Sequence, residues 1–250
     1  VDHADSVALD ASEYRGVPGR QVRLVRGAPL SSGAGRTVLL LHAPGGSAES
    51  VRALAGTLGE LATVLVVDLP GHGASDPTAA GPGLVGTVEQ LSDALRTSLP
   101  AAATTIVGIG SSAPVAIELA ATLGQQTGVV LLDPPAWSVA DTEAWLREGL
   151  PALKPVWSGG HLLEAWHLVR DGRLFSPWFR RGPAGRRHDE GEPDLDDVRI
   201  HRDVRDLLRA NGAWQGLLRD VLGYRNTDQR QPGPRTITLA KPPDNWSDVL

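Results

Sequence analysis

The residues with the clearest chemical potential lie in one short segment, Thr105-Ile106-Val107-Gly108-Ile109-Gly110-Ser111-Ser112-Ala113. An apolar, β-branched run leads into a Gly-Ser-Ser turn. The residues from about 114 to 123 then suit a helix. A sharp strand-to-helix turn of this kind projects the side chain of its central residue. Acyl-transfer hydrolysis would need more than a hydroxyl. It needs a base to take the proton, an acid to orient the base, and N–H donors for the developing oxyanion. The candidate bases are His3, His42, His72, His161, His167, His188 and His201. The candidate acids are Asp133, after an apolar run, and Asp244, in Lys241-Pro242-Pro243-Asp244.

The elements around this turn follow a regular alternation. Residues 21–26 alternate polar and apolar, as an edge or half-exposed strand does. The apolar run 37–41 reads as a buried parallel strand and leads into His42-Ala43-Pro44-Gly45-Gly46-Ser47. A helix is expected over 48–58. A second apolar strand, 63–67, then runs into Asp68-Leu69-Pro70-Gly71-His72-Gly73-Ala74-Ser75-Asp76. A helix near 88–99, the strand and helix around Gly110, and a strand at 128–132 complete the block, which Pro134-Pro135 closes. This order implies a parallel sheet with helices on both faces.

Three of these segments, in this order, resemble the α/β-hydrolase superfamily. The loop His42–Ser47 is similar to the His-Gly loop after that family's third strand. The stretch Asp68–Ser75 is similar to its Asp-x-x-Gly-x-Gly-x-Ser segment. Gly108-x-Gly110-x-Ser112 is similar to its nucleophile elbow, Gly-x-Ser-x-Gly. The likeness covers residues 37–135. It implies an α/β-hydrolase fold with an inserted helical cap. It also implies that Gly110, which has no side chain, stands at the nucleophile position. Pro44, which has no N–H, stands at one oxyanion-donor position. The Ser111 backbone N–H is the other donor. His42 takes a structural place in the loop after the third strand. Ser111 and Ser112 are expected to cap the following helix. The resemblance puts a catalytic histidine after an eighth strand, which the sequence does not reach. A fragment and a lost C-terminal unit both fit that ending. Asp244 aligns with the acid after the seventh strand, and Asp133 with an alternative acid after the sixth.

The expected organisation is a core over residues 1–135, a helical cap over 136–230 and a return to the core over 231–250. The cap helices are expected near 139–147, 161–170, 196–210 and 213–222, with a charged loop over 180–193. A seventh strand is expected at 234–240. Five of the seven tryptophans, Trp137, Trp145, Trp157, Trp166 and Trp178, fall early in the cap, and Trp214 near its end. Such a cap suits an apolar or ring-bearing ligand, and it equally suits packing onto the sheet.

Composition narrows the partners. The chain has 250 residues, 41% hydrophobic and 21% charged, with a net charge of −5. That charge favours neither nucleic acid nor an anionic membrane as partner. No apolar run reaches the ~20 residues of a membrane span. The polar start, with no signal-peptide pattern, gives a cytoplasmic expectation. Cysteine is absent, which removes thiolate chemistry and disulfides. No metal constellation, phosphate-binding loop or cofactor motif stands out. Of 24 basic residues only Lys154 and Lys241 are lysine. With abundant Ala, Gly and Pro, this fits the codon bias of a GC-rich genome. The oligomeric state is not encoded legibly.

The resulting expectation is a non-hydrolytic α/β-hydrolase-fold enzyme acting on a small apolar or ring-bearing metabolite. A cyclase, lyase or decarboxylase of bacterial specialised metabolism would fit. Its binding residues would be His42, Pro44, Gly110, Ser111, Trp137 and Trp166, with Ser111, Asp244 and His42 as the candidates for chemistry. The alternatives are a ligand-binding pseudoenzyme, and a serine hydrolase whose nucleophile is replaced by Gly110 and whose C-terminus is truncated.

Overall fold

A computed structural model describes residues 11–26, 36–97, 99, 104–124, 127–187, 193–224 and 236–239. Seven strands form one sheet: β1 (Ala11–Arg15), β2 (Val22–Arg26), β3 (Thr37–Leu41), β4 (Thr63–Val67), β5 (Thr104–Ile109), β6 (Gly128–Leu132) and β7 (Thr236–Leu239). Their order across the sheet is β1-β2-β4-β3-β5-β6-β7. The first two strands pair antiparallel, as do β2 and β4, and the remaining pairs are parallel.

The apolar runs explain the parallel centre. Strands covered by helices on both faces must be apolar on both faces. Leu39 and Leu41 join a core with Ile106, Leu91 and Leu119, while Leu40 joins Val66, Val107 and Leu54 on the other side. This is the two-residue alternation of a strand. The second face is covered by α1 (Arg52–Gly59), and the first by α2 (Leu84–Leu95), α3 (Ala113–Leu123) and α7 (Ala213–Gly223). Helices α4 (Val139–Ala144), α5 (Gly160–Leu174) and α6 (Asp197–Arg209) precede α7 between β6 and β7.

Several boundaries differ from the sequence expectation. Strand β1 was not expected, since Ala-Ser-Glu-Tyr-Arg lacks an apolar run; its pairing with β2 makes it a strand. Helix α2 starts at Leu84 rather than 88 because Asp220 of α7 accepts a hydrogen bond from the Leu84 N–H at 2.8 Å. That cap comes from a distant part of the chain. The helix expected at 139–147 divides into α4 and a π-helical turn, Trp145–Gly149. Gly149 lies there against Trp145 and Phe179. Helix α6 starts where its acidic residues suggest, with Asp196 accepting from the Arg199 N–H at 2.8 Å.

The helices after β6 seat on the edge where the parallel strands end. Helix α7 packs against α2 and against the turn Gly110–Ser112. Gly45, after β3, lies against Leu207 of α6 and Trp214 of α7. Gly71, after β4, lies against Ala213. Asp206 of α6 is buried and accepts a hydrogen bond from the Ser47 hydroxyl. That edge, where loops after successive parallel strands meet, is where ligands of such sheets bind.

Candidate functional site

The site is built around the turn Gly110–Ser112, between β5 and α3. Gly108 ends the strand side. A Cβ there would lie 2.8 Å from Ala116 Cβ and 3.1 Å from Ala113 Cα, so the close approach of α3 to β5 requires glycine. Gly110 follows with φ +55°, in the left-handed region. A Cβ built on Gly110 meets nothing within 4 Å. Position 110 therefore projects into open space at the top of the sheet, as an elbow residue does.

The two serines behave differently. Ser112 is fully buried. Its Oγ accepts from the Ile109 N–H at 2.8 Å, and it lies 3.0 Å from the Leu41 carbonyl oxygen and 2.9 Å from that of Ile109. Those bonds run back to the sheet, and no side chain caps α3. The expected capping role of Ser112 is corrected accordingly: its hydroxyl knits the turn to β3 and β5. Ser111 is half-buried, and its hydroxyl makes no hydrogen bond among the described residues.

The loop after β3 places His42 beneath the site. Its Nε2 accepts from the Leu69 N–H at 3.0 Å, so Nδ1 carries the proton and donates to the Ala43 carbonyl oxygen at 2.9 Å. Burial pushes its pKa down, against smaller opposing effects of the Ala43 bond and of Asp68 and Asp206. A neutral ring with both nitrogens committed to backbone holds two loops together and has no nitrogen free for a substrate. That geometry fits the structural place rather than the catalytic or binding one. Pro44 is half-buried in the same loop, next to Gly45.

The loop after β4 is equally structural. Asp68 is fully buried and accepts from the Ala48 N–H at 2.6 Å, the Ala74 N–H at 2.9 Å and Arg23 at 3.2 Å. A Cβ on Gly73 would overlap that carboxylate, which explains the glycine. Ser75 Oγ donates to the Asp68 carbonyl oxygen at 2.6 Å and accepts from the Arg23 N–H at 2.8 Å. Asp133, after β6, is an exposed turn residue with φ +46°.

The tryptophans divide among several environments. Trp137 is half-buried with its ring 6.1 Å from that of Trp145, which meets Phe179 edge-on at 5.5 Å. Trp166 finds its partners on its own helix, His167 and the Arg170 guanidinium, 5.1 Å over the ring. Trp157 is fully exposed, and Trp214 is buried beside Gly45. The structure thus gathers His42, Pro44, Gly110 and Ser111 at one edge, with Trp137 following β6 at the same edge. It adds Trp214, which the sequence did not assign to the site, and His72, which the sequence offered only as one of seven candidate bases. Asp244 lies outside the described residues, as do His3 and His188. A hollow of about 260 Å³ opens elsewhere, between α1 and the sheet, lined by Val38, Leu58, Val107 and Val130 among others. No residue of the Gly110 turn lines it.

Among the described residues no helix is long and apolar enough to cross a membrane. Comparison with known proteins agrees with the fold. A curated relative, the dihydrolipoyllysine-residue acetyltransferase component of the acetoin cleaving system of Cupriavidus necator, is 31% identical over 164 residues, 62% of this chain. The match spans 42% of that relative's length. A hydrolase from Pseudomonas aeruginosa PA01 is similar in structure with a TM-score of 0.61 and 18% identity, covering 92% of this chain and 80% of that one. An epoxide hydrolase from an endophytic Streptomyces gives a TM-score of 0.58 and 18% identity, covering 84% and 72%. The profile of the alpha/beta hydrolase family matches residues 38–249, and with the sheet order and the elbow turn this places the chain in that family.

Proposed function

We propose that this chain is a non-hydrolytic member of the family. It holds a small, largely apolar or ring-bearing molecule against the Gly110 turn, between the sheet edge and the helices after β6. It promotes a cyclisation, elimination or decarboxylation by shape and polar contacts, with no covalent serine intermediate. The observation that carries this reading is Gly110: the turn presents position 110 to open space, and that position holds no nucleophile. Two neighbouring groups are not available to replace it. The hydroxyl of Ser112 is spent on backbone, and so are both nitrogens of His42. A fluorophosphonate probe tests the reading directly. No labelling is expected, and labelling at Ser111 or Ser112 would overturn it. A ligand that binds without turnover would point to a pseudoenzyme on the same site.

A second reading is favoured by the open space over Gly110. It is a serine hydrolase in which glycine replaces the nucleophile, as the hydrolases among its structural relatives suggest. It predicts that Gly110→Ser in a full-length chain confers hydrolysis of p-nitrophenyl esters. A folded, full-length Gly110→Ser protein that stays inert counts against it.

A further inference from the structure

Two buried polar atoms, on the loop after β4 and at the start of α7, have no hydrogen-bond partner among the described residues, and they are chemically complementary. One is Nε2 of His72, a residue 1% exposed; the other is Nε1 of Trp214, 3% exposed. The His72 ring has a fixed tautomer. Its Nδ1 lies 3.0 Å from the Pro70 carbonyl oxygen, so Nδ1 carries the proton and Nε2 presents a bare lone pair. Burial, and then the neighbouring His42 ring, push its pKa down to about 3, so the ring is neutral at ordinary pH. The Trp214 indole N–H can only donate.

The two side chains stand on segments that touch. Gly71, just before His72, lies against Ala213, just before Trp214. Trp214 borders Gly45, while the His42 ring, 5.6 Å from the His72 ring, borders Gly46. Both groups therefore belong to one wall, made by the loops after β3 and β4 under the start of α7. Helix α7 also packs on the Gly110 turn. Leaving a buried donor or acceptor unmet is unfavourable, so each such atom points to a partner.

Few groups suit both atoms. A carbonyl or carboxylate oxygen would serve Trp214 and leave His72 unmet. An ammonium would do the reverse. A hydroxyl accepts and donates at once. We propose that Trp214 and His72 form a hydroxyl-binding site beside the Gly110 turn. In it the indole N–H donates to the hydroxyl oxygen, and that O–H donates to His72 Nε2. The hydroxyl comes from a held water or from the alcohol group of a small molecule bound at the turn. The site rests on these two side chains and not on the reading of Gly110. Labelling of Ser111 by a fluorophosphonate would end that reading and leave this site standing.

The test is a high-resolution crystal structure of the unaltered chain grown without alcohols, paired with binding measurements in solution. An ordered oxygen within hydrogen-bond reach of both nitrogens is expected. Benzyl alcohol and toluene then separate the sources. If a ligand alcohol is the guest, Trp214→Phe, which keeps the ring and removes the N–H, weakens benzyl alcohol binding about tenfold and leaves toluene binding unchanged. If a water is the guest, the oxygen is present in crystals and Trp214→Phe leaves both affinities alike. An oxygen found on neither nitrogen, or the two nitrogens bonded to separate protein atoms, overturns the proposal whatever the binding data show.

Discussion

Ser112 Oγ lies 3.0 Å from the Leu41 carbonyl oxygen, joining the elbow turn to the end of β3. The same oxygen accepts from the Ile109 N–H, so one buried hydroxyl fastens the turn to two strands. Ser112→Ala removes the donor and leaves the Ile109 N–H unmet. A loss of about 1–3 kcal/mol is expected. For a chain of this size that is a drop in Tm of roughly 2–4 °C for each kcal/mol. Urea unfolding of the two proteins checks it. A Ser112→Ala protein as stable as the parent would contradict the bonding described.

The buried histidines set a pH dependence. His42 and His72 are both held neutral, with pKa values below the ordinary 6.5, that of His72 at about 3. The unfolded chain takes up protons at these rings as pH falls below 6.5, and the folded chain does not. Their effect is therefore absent above 6.5, and stability declines as pH drops below it. For His72 the decline continues until the folded ring protonates near 3. At full weight one such proton is worth about 1.4 kcal/mol per pH unit. His72→Phe should show a shallower loss than the parent between about pH 7 and about pH 5. Urea midpoints at the two pH values measure this, and equal losses would count against a neutral His72.

The helices after β6 are tied to the sheet edge by a buried contact, Ser47 Oγ donating to Asp206 Oδ2. Arg205, next in the chain, also donates to the other Asp206 oxygen, at 3.2 Å. A double-mutant cycle of Ser47→Ala and Asp206→Asn should give a coupling of about 0.5–3 kcal/mol. Denaturant unfolding of the four proteins supplies it. Additive effects would mean that the contact does not hold α6 on the loop after β3.

Much of this architecture was legible locally. The runs 37–41, 63–67 and 128–132 are apolar on both faces, as strands covered by helices on both sides are. Gly108 and Gly73 were readable as members of motifs, and the structure supplies the overlaps that require them. What was not legible depended on distant partners. Helix α2 starts where Asp220 caps it, far along the chain. Ser112 was expected to cap forward, but its hydroxyl turns back to Leu41, a neighbour only in space. Trp214 counted as one more aromatic among the helices. Its indole N–H gains meaning only from its burial beside Gly45 and from His72 near by. Spacing carries period and punctuation, and it does not say which buried atoms go unmet.

The two glycines of the elbow should respond oppositely to a methyl group. At Gly108 a Cβ would press on Ala116 Cβ at 2.8 Å, Ala113 Cα at 3.1 Å and the Ser112 carbonyl oxygen at 3.2 Å. Two of these contacts are backbone and cannot rotate aside, so Gly108→Ala must push α3 off β5. An overpacking loss of about 1–3 kcal/mol or more is expected. At Gly110 nothing lies within 4 Å, and the only penalty is φ +55°. A left-handed backbone costs an alanine about 1–2 kcal/mol. Against that, removing glycine's freedom from the unfolded chain returns about 0.4–1 kcal/mol. Gly110→Ala should therefore lie within about 1.5 kcal/mol of the parent and be the milder of the two changes. Urea unfolding of both variants decides. A Gly110→Ala protein destabilised as much as Gly108→Ala would show that position 110 does not face open space. It would also remove the ground on which both functional readings of that turn stand.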